Sequence, residues 1–210
     1  VDKVAFTGSA PTGRKVMAAC AEGLVPVLME CGGKDAMIVD DDADVAAAVD
    51  AALWGGMSNA GQTCVGIERV YATDKVYDRF VAELTERAAE VRTGSGDDAH
   101  YGPITMPSQV AIIERHIADA VASGGRVLSG GTVTDGVVAP TVLVDVPEDS
   151  AAVREETFGP TITVARVRDA EEAIERTNAT PYGLAGSIFT GKAKRGMALA
   201  RQMRSGMASI

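Results

Sequence analysis

From Val4 to Ile210 the chain alternates short runs rich in β-branched and aromatic residues with longer stretches of helical periodicity. Nothing else in the sequence limits the fold so strongly. VAFT (4–7), VPVLME (25–30), DAMIV (35–39), ERVYAT (68–73), TVLVDV (141–146), TITVARV (161–167) and SIFT (187–190) read as strands. Between them, RKVMAACAEG (14–23) has helical spacing and closes on Gly23, and DDDADVAAAVDAALWGG (40–56) opens on carboxylates that suit a helix N-terminus. Val76, Phe80, Leu84, Ala88 and Val91 form an apolar stripe, as do Val110, Ile113, Ile117 and Val121 before Gly124–Gly125. Asp169 with Glu172 forms a capping pattern ahead of AIERTN, and a last helix is predicted from about Lys194 to Arg204, followed by MASI. Strands joined by helices of ten or more residues imply βαβ crossovers, hence an α/β fold with a mostly parallel sheet flanked by helices. No fixed-period repeat, low-complexity tract or long linker interrupts it.

A length of 210 residues, 46% of them hydrophobic, allows one large domain or one domain with part of another. The longest apolar stretches are broken by Asp, Pro or Gly well short of the ~18 residues a membrane helix needs. Twenty basic against 29 acidic residues, a net charge of −9, disfavours nucleic acids and anionic membranes as partners. Cys20, Cys31 and Cys64 form neither a disulfide framework nor a CxxC metal site, which fits a reducing cytoplasm and a cysteine kept for reactivity. The chain opens on VDKVAF without an initiator Met or a leader and closes on an apolar run, so it reads as a segment of something longer.

Four segments could carry chemistry. GSAPTG (8–13), a glycine turn between strand and helix, can aim backbone N–H groups at a phosphate or can be a bare structural turn, since it lacks GxGxxG spacing. NAGQTC (59–64) puts a cysteine in small and polar surroundings that suit an accessible loop, although a buried thiol is the plainer reading of any cysteine. A nucleophile there needs thiolate character, and no cation lies nearby in sequence. MECGGK (29–34) ends a strand on Glu30 beside two glycines, and EETFGP (155–160) joins carboxylates, an aromatic ring and a turn. Both are open between chemistry and ordinary loop.

Together these segments resemble the aldehyde dehydrogenase superfamily in content, order and spacing: FTGS with Gly13, ECGGK, NAGQTC, EETFGP and then NATPYGLAGSIFT, covering Val4 to Ile210. The resemblance implies that Cys64 attacks an aldehyde to give a thiohemiacetal, and that hydride transfer to NAD or NADP leaves a thioester. Glu30 is then the general base for the water that releases the acid. An asparagine that would help hold the oxyanion is placed by the family upstream of Val1. The resemblance also puts Gly8, Ser9 and Gly13 in the nucleotide-binding turn and helix, Glu156 on the nicotinamide ribose and Phe158 beside the nicotinamide ring, with no metal. Residues 1–30 would close a cofactor domain and 31–210 would form most of a catalytic domain, truncated at both ends. The parent would be a cytoplasmic homo-oligomer, a dimer or tetramer, and the 210 residues alone would be inactive.

Glu30 disfavours the coenzyme A-acylating rival, whose members lack a glutamate there, and Cys64 with Glu30 disfavours a non-catalytic member. GGKDAMIV and YGPITMPSQ look like bacterial succinate-semialdehyde dehydrogenases. The family usually has Leu where this chain has Cys31; packing is the default explanation, and a reversible Cys31–Cys64 disulfide is a further one. His100 and His116 read as solvated or structural, Trp54 and the eight methionines as core, and DDDAD and GSGDD as a helix start and a solvated loop.

Overall fold

The computed structural model describes residues 1–210. Strand β1 (Val4–Gly8), helix α1 (Ala10–Glu22) and strand β2 (Val27–Cys31) form a small parallel βαβ unit. The rest forms a body built on a separate six-stranded sheet, with a two-stranded hairpin beside it. Its elements in chain order are β3 (Asp35–Val39), α2 (Val45–Met57), β4 (Ile67–Thr73), α3 (Asp74–Ala89), α4 (Pro107–Ala122), β5 (Arg126–Ser129), β6 (Val133–Thr134), β7 (Val137–Val138), β8 (Thr141–Val144), α5 (Ala151–Arg154), β9 (Thr161–Val167), α6 (Ala170–Asn178), β10 (Gly186–Phe189) and α7 (Ala193–Ala200). The order across the sheet is β10-β3-β4-β9-β8-β5, parallel except where β5 meets β8.

Alternation along the central strands explains why the sheet is covered on both sides. Met37, Val39, Val70, Ala72, Ile162 and Val164 pack with Val49, Phe80, Leu84 and Ile113 from α2, α3 and α4. Ala36, Ile38, Tyr71 and Val167 point the other way, to Ile174 of α6 and Leu199 of α7. A sheet buried on both faces needs near-continuous apolar strands, and β3 is buried at every position.

The expected α/β architecture is present, with several differences of detail. Helix α1 begins at Ala10 rather than near Arg14, because Ser9 caps it through Thr12 N–H and Pro11 is tolerated in a first turn, where its missing N–H costs nothing. Helix α7 stops at Ala200, short of Arg204. The four-residue strand β5 and the β6–β7 hairpin are too short to show periodicity. Trp54 is 77% exposed, contrary to the core assignment, because α2 buries Ala48, Val49, Ala52 and Gly56 and Trp54 falls on the opposite side of the helix. Met17, Met106, Met197 and Met207 are likewise exposed, while Met37, Met57 and Met203 are buried. The Asp169–Glu172 cap is formed, with Glu172 N–H donating to Asp169 Oδ1 at 2.8 Å. No helix is long and apolar enough to cross a membrane.

Candidate active site

The linker Gly32–Gly33 carries the chain from the carboxyl end of β2 to the amino end of β3, and the chemically marked residues gather around it. A Cβ on Gly32 would overlap the Glu156 carboxylate, and Gly33 N–H donates to Glu156 Oε1 at 3.2 Å. A Cβ on Gly33 would stand 3.1 Å from the carbonyl oxygen of Cys64 and 3.1 Å from Leu184 Cβ. The two glycines let fixed backbone, the Cys64 carbonyl, and a movable carboxylate, that of Glu156, come this close to the linker. Four of the five sequence segments thus meet at two glycines.

Cys64 follows a 3₁₀ turn, Ser58–Gly61, at the end of α2. Asn59 and Ala60 adopt left-handed backbone angles there, at φ 54° and 56°. The turn is clamped reciprocally: Asn59 Nδ2 donates to the Gln62 carbonyl at 3.0 Å and Gln62 Nε2 donates to the Asn59 carbonyl at 2.9 Å. Gln62 Oε1 also accepts Thr105 N–H at 2.9 Å. A fixed turn therefore presents Cys64 at an exposed position, as a nucleophile requires.

Glu30 is exposed on β2, paired in register with Thr7 on the face away from α1. Gly8 pairs with Cys31, and Ser9 follows as the N-cap of α1, with its hydroxyl donating to Thr12 Oγ1 at 3.0 Å. Gly13 is buried inside α1, where a Cβ would stand 3.0 Å from Cys31 Sγ. Cys31 thus packs its sulfur against α1 and all three cysteines are free, so the geometry gives the Cys31–Cys64 disulfide no support.

Beneath this surface lies a buried polar group that sequence reading did not single out. Lys34, only 1% exposed, forms an ion pair with Glu68 and donates to Thr157 Oγ1 at 3.0 Å. Glu68 accepts Thr157 N–H at 2.8 Å and Phe158 N–H at 2.9 Å. Thr157 Oγ1 also bonds His116 Nδ1 at 3.0 Å, and Gln109 Nε2 donates to the Thr157 carbonyl at 2.7 Å. Arg69 donates to the Lys34 carbonyl at 2.6 and 2.9 Å. Asp35 Oδ1 accepts Ala185 N–H at 3.1 Å, whereas its buried Oδ2 has no partner. The one available signal was an adjacent Glu–Arg pair at the head of an apolar strand, since charges in that setting must find partners. His116 lies buried in this group, a structural rather than a solvated histidine. His100 is exposed, its Nδ1 accepting Arg92 N–H at 3.0 Å.

Burial sets the electrostatics. It pushes the Glu156 carboxyl up to about 7, with the Glu68 charge adding to the effect and the Gly33 N–H and Lys34 opposing it. Asp35 is pushed up to about 7 for the same first reason. Burial lowers the Lys34 pKa in spite of Glu68, and it keeps His116 below its ordinary value, aided by Lys34 and Arg115.

The motif residues lie between the carboxyl ends of β1 and β2 and the amino ends of β3, β4 and β9. The arrangement offers an exposed thiol at Cys64, an exposed carboxylate at Glu30 on the strand that leads into the linker, and a half-buried carboxylate at Glu156 beside an aromatic turn. No group of side chains is arranged to hold a metal ion.

The chain matches the aldehyde dehydrogenase family over residues 1–210. It is 42% identical to a glutarate-semialdehyde dehydrogenase of Pseudomonas aeruginosa over 215 aligned residues, covering 100% of this chain and 44% of that protein. Its backbone superposes on an NADP-dependent enzyme of Escherichia coli with a TM-score of 0.97 at 38% identity, covering 100% of this chain and 45% of that one. A betaine aldehyde dehydrogenase of Staphylococcus aureus, solved with NAD+, gives 0.96 at 32% identity and covers 100% of this chain and 43% of that one. The chain therefore spans less than half the length of the relatives it matches.

Proposed function

Because the chain belongs to the aldehyde dehydrogenase family, we propose that it carries the catalytic cysteine and general base of a protein that oxidises aldehydes to carboxylic acids with NAD+ or NADP+. The observation that carries this reading is the convergence at Gly32–Gly33, where the Cys64 backbone and the Glu156 carboxylate adjoin one linker two residues after Glu30.

The residues around the linker and the start of α1 suit a bound nicotinamide nucleotide. Gly32 lets the Glu156 carboxylate lie directly against the linker backbone, so this carboxylate is held where the linker meets the 155–160 turn. Glu156 would accept from the nicotinamide ribose and Phe158 would flank the ring. Ser9 and Gly8, at the start of α1, would face the pyrophosphate, with Gly13 allowing α1 to pack closely on β2. When bound, the nicotinamide supplies a hydride acceptor.

The chain's own residues do the rest. The Cys64 thiolate adds to the aldehyde carbon, and the C=O π electrons move to oxygen; the Cys64 N–H can donate to the resulting oxyanion. Loss of hydride from that carbon leaves a thioester on sulfur. Glu30 then takes a proton from water, whose oxygen adds to the thioester carbon and expels the thiolate as the acid forms. Glu30 supports water as acceptor rather than coenzyme A. Residues 1–30 then belong to the cofactor side and 31–210 to the catalytic side, in a cytoplasmic homo-oligomer.

The test is reduction of NAD+ and NADP+ by the full-length protein across aliphatic, aromatic and semialdehyde substrates. Aldehyde-dependent formation of the reduced nucleotide is expected, and none with any aldehyde overturns the reading.

A further inference from the structure

We propose that Glu68 is a positioning residue for nucleotide binding: its buried carboxylate, balanced by Lys34, fixes the turn that carries Glu156 and Phe158. This rests on the functional reading above.

Glu68 is 5% exposed at the head of β4, and it reaches across to a segment about ninety positions later in the chain. Its Oε1 accepts Phe158 N–H at 2.9 Å, and its Oε2 accepts Thr157 N–H at 2.8 Å and pairs with Lys34 Nζ. The two amides so held lie directly after Glu156. Phe158 has φ 50°, a left-handed conformation that a bulky side chain avoids unless its surroundings impose it. A charged acceptor on the amide of that residue imposes it. The ion pair is also shared: Lys34 donates onward to Thr157 Oγ1, and that oxygen bonds His116 Nδ1. One buried cation thus links β3, β4, α4 and the turn.

A purely stabilising role explains this poorly. A buried ion pair is often matched or exceeded in stability by apolar residues of similar volume, whereas it is well suited to holding two backbone amides at a fixed place. Gly33 N–H and Gln109 Nε2 hold the turn from other sides, so loss of Glu68 should loosen Phe158 without releasing the whole segment.

The experiment compares the full-length protein with Glu68→Gln, which keeps shape and one acceptor oxygen, and with the double variant Glu68→Met/Lys34→Met, which removes both charges. Three readouts are followed: amide exchange at Thr157 and Phe158, the Kd for NAD+ and NADP+, and the separate kcat and KM for nucleotide. In the double variant we expect exchange at the two amides to accelerate about a hundredfold relative to the centre of β9. Nucleotide Kd and KM should rise about tenfold while kcat at saturating nucleotide stays within about threefold. Glu68→Gln should lie between. If a variant fails to fold, the other carries the comparison. Unchanged exchange at Thr157 and Phe158 overturns the inference whether or not nucleotide binds, as does faster exchange with unchanged Kd. Faster exchange in a protein whose parent binds neither nucleotide would instead overturn the functional reading and leave the anchoring of the turn supported.

Discussion

Gly61 and Gly159 are in backbone contact: a Cβ on Gly61 would overlap the Gly159 carbonyl and stand 2.7 Å from Pro160 N, and Gly61 sits at φ 68°. The cysteine loop and the Glu156–Phe158 turn are therefore locked to each other through main chain. Gly61→Ala should cost at least about 2 kcal/mol, since it adds strain at a left-handed position to a clash that no side-chain rotation relieves. Denaturant unfolding measures this.

Gly32→Ala should behave differently. Its Cβ would meet only the end of the Glu156 side chain, which can swing away. The stability change should stay within about 1 kcal/mol, as is usual where only a mobile side chain must move. Displacing Glu156 should nonetheless weaken nucleotide binding. A calorimetric comparison of the two variants separates the effects; equal losses of stability would contradict the distinction.

Asp35 gives a signed pH dependence. Its carboxyl lies near 7 in the folded chain against an ordinary 3.8. Below about pH 4 both states hold the proton and the group contributes nothing to the difference. Between about pH 4 and 7 only the unfolded chain loses it, so stability falls with rising pH, and above about 7 the loss levels off. Asp35→Asn keeps an acceptor for Ala185 N–H and removes this loss. The variant should gain on the wild type by about 1–3 kcal/mol between pH 4 and 7. A constant difference across that range would refute the assignment.

Much of this was legible in the sequence, for identifiable reasons. Alternating strands and helices gave the α/β class because β3, β4 and β9 are long enough to carry an apolar pattern. The Cys64 loop and the Glu156–Phe158 turn meet at the linker that follows Glu30 because Gly32, Gly33 and Gly61 permit close main-chain approach. What could not be read was the support beneath them. Lys34 and Glu68 are 34 positions apart and become partners only when β3 and β4 pair. Residue type alone puts Trp54 in the core, whereas the face of α2 is decided by where Ala48 and Ala52 meet the sheet.

Glu30→Gln should separate the two halves of the reaction. An amide cannot take the proton from water, so one equivalent of reduced nucleotide should form quickly and turnover then slow by about 10²–10⁴-fold. Rapid-mixing kinetics would show the burst, and undiminished steady turnover would remove Glu30 from the role of base.

Cys64→Ala in the full-length protein tests the central claim most directly. With an aldehyde that the wild type oxidises, the variant should fold as before, because Cys64 is exposed, and should form no reduced nucleotide. Mass spectrometry should find acyl mass on the Cys64 peptide of the Glu30→Gln protein. Wild-type turnover in Cys64→Ala would contradict the account.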